Sequence, residues 1–419
     1  MHLILRRQTA IRVLVLLTCS LVISCRQAPN EAVAENDAIA SFVAEHWQFP
    51  VAPQGEPPPD YSPLEASLDP QQCGICHPLQ YQDWQTTLHS QAMSPGIYGQ
   101  MVEMAENDRA TYTICASCHT PLSEQLPFLE ADGSYRDNPD FDAKLQQAGL
   151  TCAGCHVRQH QRFGPPRRPD LPPLPAGTKL PHGGFTVHAA YEDSAFCRPC
   201  HQFAATGFAL NGKLLENTYE EWRQSRYAQE DIHCQHCHMP GRRHLWRGIH
   251  DPDMVKQAMT VALSPDAASY ATGETMKLQI VITNSGAGHY FPTYVTPKVF
   301  VQAHLLDQRG NMLGDTAQET PIGREVTLDL SQEPYDTRIA PDASRTISYV
   351  QDIPPGATTL RVRIVVHPDH FYRQFFEALL AGGETGKGRA LLEQALRKAE
   401  ASPFTVFERT IPLDNARGP

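Results

Sequence analysis

Residues 149–156 read Gly149-Leu-Thr-Cys152-Ala-Gly-Cys155-His156, and the last five of them decide how the chain is understood. Two thiols two residues apart can reach the two vinyl groups of one porphyrin. The His that follows stands where its imidazole can bind the iron. The same Cys-x-x-Cys-His spacing recurs at Cys73–His77, Cys115–His119, Cys197–His201 and Cys234–His238, making five copies with the His in register each time. Other uses of paired cysteines fit poorly. Structural zinc takes four ligands per ion, commonly two Cys pairs, so five pairs leave one over. A thioredoxin-like redox pair needs no fixed His. A disulfide framework, the usual inference for a Cys-rich secreted chain, would make a strained loop inside every pair.

Of the 12 cysteines, ten lie in the motifs: Cys73 and Cys76, Cys115 and Cys118, Cys152 and Cys155, Cys197 and Cys200, Cys234 and Cys237. The expected cofactors are therefore five covalently bound haem c groups, with His77, His119, His156, His201 and His238 as proximal ligands. The other two cysteines, Cys19 and Cys25, sit in the N-terminal apolar segment.

That segment reads as an export signal. Arg6, Arg7 and Arg12 precede an apolar run of 12 residues, Val13 to Ser24, too short to span a bilayer and of signal-peptide length. Val22-Ile23-Ser24-Cys25 is similar to a bacterial lipoprotein box, in which cleavage precedes a Cys that is then lipidated; an ordinary signal peptide cut nearby is the alternative. Arg26 rather than Asp follows Cys25, which favours the outer membrane over retention at the inner one. Haem c is attached outside the cytoplasm, so the motifs and the signal agree on an exported, lipid-anchored protein, periplasmic or at the outer membrane or cell surface. The formal charge of −11 becomes −14 once three Arg and no acids are removed with residues 1–24. Such a balance excludes nucleic acid as a partner and leaves redox proteins and, through the anchor, a membrane.

The expected organisation is multi-domain: 1–24 signal peptide, 25–72 Pro-rich tether, 73–254 pentahaem cytochrome c domain, and 255–419 a β-sandwich-like domain with C-terminal helices. The stretch 49–70 holds seven Pro and reads as an extended tether. A second Pro-rich insert, 164–181, reads as a haem-covering loop. Short helices and loops are expected from 73 to 250, where the macrocycles supply apolar area that side chains would otherwise provide. Helices are expected at Tyr98–Ala110 and Phe141–Ala148. From about 255 the pattern alternates with period two. Met276–Asn284, Pro297–Asp307, Arg324–Leu330, Thr346–Gln351 and Thr359–His367 read as strands of a β-sandwich. Phe371–Ala381 and Gly388–Ala401 read as amphipathic helices, and Thr405–Leu413 as a last strand. Gly382–Gly388 lacks the first Gly and the Ser/Thr of a phosphate loop and reads as a helix junction.

Two segments repeat: Tyr81-Gln-Asp-Trp84-Gln-Thr-Thr87-Leu-His89 and Tyr219-Glu-Glu-Trp222-Arg-Gln-Ser225-Arg-Tyr227. His89 in the ninth position is the leading distal ligand, whereas Tyr227 either ligates weakly or leaves an iron open. His160, His188, His244 and His250 are further candidates. So is His289, in the Gly-rich turn Asn284-Ser-Gly-Ala-Gly-His289-Tyr-Phe-Pro-Thr293, where glycines let the backbone approach a haem edge. His46, His304, His367 and His370 read as surface or sheet histidines.

These residues resemble the multihaem cytochromes of the c554 type, related to the hydroxylamine-oxidoreductase and nitrite-reductase superfamily. The resemblance rests on Cys73-Gly-Ile-Cys-His77 with Tyr81, Trp84 and His89, on Gly149–His156, and on Tyr219-Glu-Glu-Trp222 with Cys234-Gln-His-Cys-His238-Met-Pro240; it covers roughly residues 70–250. It implies closely packed haem pairs with mostly bis-His iron. The Cys-x-x-Cys-Lys site of the ammonia-forming nitrite reductases is absent. The expected function is electron transfer between redox partners through a chain of haems, with no catalytic residue assigned. The alternative is an oxidoreductase acting on a small nitrogen or sulfur compound at a five-coordinate haem.

Overall fold

The computed structural model describes residues 31–175, 177–383 and 386–413, with side chains from 36 onward. The expectations for the signal peptide and Cys25 lie outside these residues. The described residues from His46 to Leu413 belong to one compact unit, and helix Glu31–His46 precedes it in the chain.

The motif-bearing stretch is built from short helices with side-chain caps. Asp69 accepts from the Gln71 amide to start helix Pro70–Cys76, Asp108 caps Arg109–His119, and Thr151 caps Cys152–His156. The remaining motifs lie on Arg198–His201 and Cys234–His238. The helix expected over Tyr98–Ala110 is instead Pro95–Asn107, which stops where Asp108 turns to cap the next helix. Ala143–Gln147 stands where Phe141–Ala148 was expected. Small β pieces are also present, including the hairpin Ala209–Leu210 with Lys213–Leu214.

The Pro-rich stretch 49–70 is not a free tether. Val51 is buried and bridges Leu122, its amide donates to the Pro121 carbonyl at 2.9 Å, and the Tyr61 hydroxyl donates to the His182 carbonyl at 2.7 Å. Proline removes donors, but its neighbours Val51 and Tyr61 still supply a side chain to bury and groups to pair. The insert 164–181 is largely exposed.

Seven longer strands make the β region: β1 Met259–Pro265, β2 Thr275–Asn284, β3 Lys298–Asp307, β4 Gln318–Ile322, β5 Ser344–Asp352, β6 Ala357–His367 and β7 Phe404–Pro412. They form two antiparallel sheets, β5-β2-β1 and β4-β3-β6-β7. Alternation along β2 turns Met276, Leu278, Ile280 and Ile282 inward, and they share one core with Val299, Val301 and Leu305 of β3 and with Leu360, Val362 and Ile364 of β6. β1 and β4 were not anticipated. The strand expected at Arg324–Leu330 shrinks to Arg324–Glu325, paired with Tyr335–Asp336, because the chain turns at Leu330 (φ +56).

Helices His370–Gly382 and Arg389–Ala401 follow β6 and pack on helix Pro95–Asn107. A side chain at Gly99 would crowd Leu391 and Leu392 at 3.1 Å, and one at Gly388 would run into the Gly99 backbone, so the glycines keep this crossing close. The Lys387 amide donates to Glu103 at 2.6 Å, as befits a helix junction.

A buried ionic chain joins the β region to the motif-bearing region. Arg324 is fully buried and donates to Glu333 and to the carbonyls of Leu210, Lys213 and Leu214. Lys213 pairs with Asp336 at 2.8 Å, Asp336 with Arg338 at 2.9 Å, and Arg338 with Glu221 at 2.9 Å.

Candidate haem centres

Four of the five motif histidines are pinned through one ring nitrogen. Nδ1 of His119 faces the Ala92 carbonyl at 2.6 Å, that of His156 the Phe163 carbonyl at 2.8 Å, and that of His238 the Arg247 carbonyl at 2.6 Å. Nδ1 of His201 faces the Tyr294 hydroxyl at 2.7 Å. A carbonyl can only accept, so Nδ1 carries the proton and Nε2 keeps its lone pair, the tautomer a metal-bound imidazole requires. Burial pushes His156 and His201 down to about 4, so both rings are neutral at pH 7.

Three of these rings face a second imidazole. Ring centres are 6.3 Å apart for His89 and His201, 6.2 Å for His156 and His244, and 6.3 Å for His238 and His289. A metal–imidazole bond of about 2 Å on either side, plus about 1.2 Å from each nitrogen to its ring centre, separates two ring centres by about 6.4 Å. The spacing fits an iron between each pair. Nδ1 of His244 and of His289 also faces a carbonyl, of Arg242 at 3.1 Å and of Tyr290 at 2.9 Å. Burial pushes His89 down to about 3.

His289 reaches His238 because a helix of the motif-bearing region holds its turn. Glu221 accepts from the Tyr290 amide at 3.0 Å and the Thr293 hydroxyl at 2.8 Å, and it pairs with Arg338. A Cβ on Gly288 would stand 3.2 Å from Trp222 and Tyr227. The close approach its glycine permits is thus to these aromatic rings. Tyr227 is buried and its hydroxyl donates to the Ser285 carbonyl at 3.3 Å; it braces the turn and is not free to mark an open iron. The repeated helices share a device: the Trp84 indole donates to the Leu150 carbonyl at 2.8 Å and the Trp222 indole to the Ile232 carbonyl at 2.9 Å. Each acceptor lies two residues before a motif.

Other candidates are placed differently. His160 is buried with Nε2 at the Gly55 carbonyl (2.9 Å) and Nδ1 without a partner. His188 accepts from the Ala190 amide through Nδ1 at 3.1 Å, and Nε2 of His250 lies 3.0 Å from Asp369. His46 is not a surface residue: it is buried, with Nε2 at the Cys155 carbonyl (2.8 Å). Burial, then the Arg158 charge, pushes it down to about 3. Among the described residues, no second imidazole takes the paired spacing against His77 or His119. His182, His156 and His244 lie within electrostatic reach of His77. Sequence reasoning passed over Tyr294, although it continues the run His289-Tyr-Phe-Pro-Thr293.

The thiols give the order of the motifs in space. Cys73 lies close enough to Cys152 to shift its titration, as does Cys118 to Cys200, and Cys197 to Cys234. Cys155 lies within electrostatic reach of both Cys197 and Cys200. The first motif thus adjoins the third, the third adjoins the fourth, and the second and fifth both adjoin the fourth.

Residues 72–157 match the family model described as cytochrome c554 and c-prime. No curated protein matches the chain. A solved structure, a penta-heme cytochrome c552 from Thermochromatium tepidum, is similar in fold with a TM-score of 0.58 at 17% identity, covering 84% of this chain and 100% of that one. Residues 72–157 are thus similar to cytochrome c554 and c-prime, and the fold is shared with a multihaem c-type cytochrome. The particular kinship is the cytochrome c554 and c-prime likeness of residues 72–157, continued by a C-terminal β region. Among the described residues no helix is long and apolar enough to cross a membrane.

Proposed function

We propose that the chain is an exported electron carrier with five covalently attached haems, mostly bis-His, anchored by a lipid on Cys25 and passing electrons between redox proteins. The observation that carries this reading is the set of three imidazole pairs spaced 6.2–6.3 Å apart. Haem, when bound, supplies a one-electron centre. The chain's residues do the rest. The motif thiols would fix each macrocycle, and the Nδ1 hydrogen bonds of His156, His201, His238, His244 and His289 leave Nε2 of those rings for the iron. Burial keeps the imidazoles neutral and excludes water. The adjoining motifs make one continuous path from the first to the fourth, with branches to the second and fifth.

The test is the ferric spectrum and mass of the mature protein. Five haem masses and at least three low-spin irons are expected; fewer than three low-spin irons would overturn the reading.

One observation favours catalysis as a second reading. His119 lacks an imidazole facing it among the described residues, while Glu216, whose carboxyl burial pushes up to about 8, lies within electrostatic reach of Cys118. Tyr372 is within reach of Cys115 and Glu216. A high-spin iron at this motif that binds hydroxylamine or NO would support an oxidoreductase acting on a small nitrogen compound.

A further inference from the structure

The short loop after the fifth motif touches three of the candidate centres. His244 faces His156, and the Arg247 carbonyl accepts from His238 Nδ1. Between them, Trp246 sits edge-on to His89, with ring centres 4.8 Å apart at 69°, and edge-on to His244 at 5.1 Å and 87°. Its backbone lies in the left-handed region, φ +39, which a bulky L-residue adopts only when the surroundings over-determine it. Two anchors do so here. The Trp246 amide donates to the His238 carbonyl at 2.8 Å. Asp83 holds the start of the loop, pairing with Arg243 at 2.6 Å and accepting from the His244 amide at 3.0 Å.

We propose that Trp246 is a positioning residue shared by two iron centres: its indole is wedged between the distal imidazoles His89 and His244 and fixes the orientation of both. The inference rests on the bis-His reading and deepens it. An aromatic edge against each ring restricts rotation about the iron–nitrogen axis, which the Nδ1 anchor of His244 at the Arg242 carbonyl does not do fully. His89 has no Nδ1 partner of its own among the described contacts, so it depends on the wedge more than His244 does. The His238–His289 pair, anchored through backbone carbonyls, does not depend on the indole.

The test uses the full holoprotein with W246A, W246F, H89A and H244A, read by ferric electron paramagnetic resonance and by potentiometric titration of each haem. H89A and H244A should each convert one low-spin iron to high-spin, which assigns the two signals. W246A should then shift or broaden those two signals and their midpoint potentials, the His89 signal more, and leave the others in place. W246F, which keeps an aromatic edge, should restore most of the native spectrum. Unchanged spectra in W246A, or an equal change at all irons, would overturn the wedge. If H89A and H244A leave every iron low-spin, the bis-His assignment itself is lost and the wedge falls with it.

Discussion

The β region and the motif-bearing region keep their structure by different means. The strands enclose a continuous side-chain core, with Leu278, Ile282, Val299, Leu360 and Ile364 fully buried. Between residues 70 and 250 the buried clusters are small, one around Met101, Tyr112 and Phe128 and another around Leu122, Leu145 and Val157. Apolar side chains beside the motifs stay in the open: Ile75 is 63% exposed and Ile114 71%. One region writes its core in side chains; the other leaves apolar surface for a flat, apolar group to cover. Cofactor and fold are therefore inseparable in the first part of the chain and separable in the second.

The comparison breaks or stands on haem removal. With all ten motif cysteines changed to Ala, limited proteolysis should digest the segment 73–250 and leave a resistant core of the strands between Met259 and Pro412. Uniform resistance along the chain would end the distinction. A smaller effect is expected at the joint between the regions. Glu221→Ala removes one of the two carboxylates that pair with the buried Arg338 and leaves Asp336 as the other, so denaturant unfolding should show a loss of about 1–3 kcal/mol. The same change frees the 289–293 turn, so one low-spin iron should be lost with it, while Glu221→Gln retains part of both.

The smallest effect is one of pH. Burial raises the Asp336 carboxyl, but hydrogen bonds from Arg338 and Lys213 outweigh it and hold the group below the usual carboxylate range. A depressed carboxyl stabilises the fold above its unfolded value, near 4, and that contribution is lost as pH falls through the lower folded value. Acid titration of stability should therefore steepen below about pH 4, and Asp336→Asn should remove that limb. An unchanged acid limb in the variant would show that the ionic chain does not couple the regions.

Much of this was legible in residue order. The five motifs name their own chemistry, and alternation in Met276–Asn284 and Thr359–His367 reads directly as strand. His89, His244 and His289 stand opposite motif histidines, but nothing in the sequence says which faces which. Those pairings depend on how loops of different lengths return, and loop return is not a periodic signal. β1 went unseen because Met259–Pro265 ends in Pro at a sheet edge and carries the apolar Ala262 on its exposed face, although Met259, Val261 and Leu263 do turn inward. Tyr294, Trp246 and His46 act through single contacts to a ligand or a motif carbonyl, and an isolated Tyr, Trp or His carries no spacing to recognise. The tether reading of 49–70 followed composition, which describes backbone stiffness and not the two or three side chains that settle where the segment lies.

One feature of the joint bears on biogenesis. The turn carrying His289 is framed by β2, and β2 is completed by β5, so the partner for His238 is delivered only after the chain has emerged as far as Asp352. The Cys234–Cys237 thiols therefore precede their cover in chain order by more than fifty residues. Haem attachment at this motif, as proposed above, is expected to come before the turn closes over it, and pulse-labelled truncations ending before Ser344 should still acquire haem there.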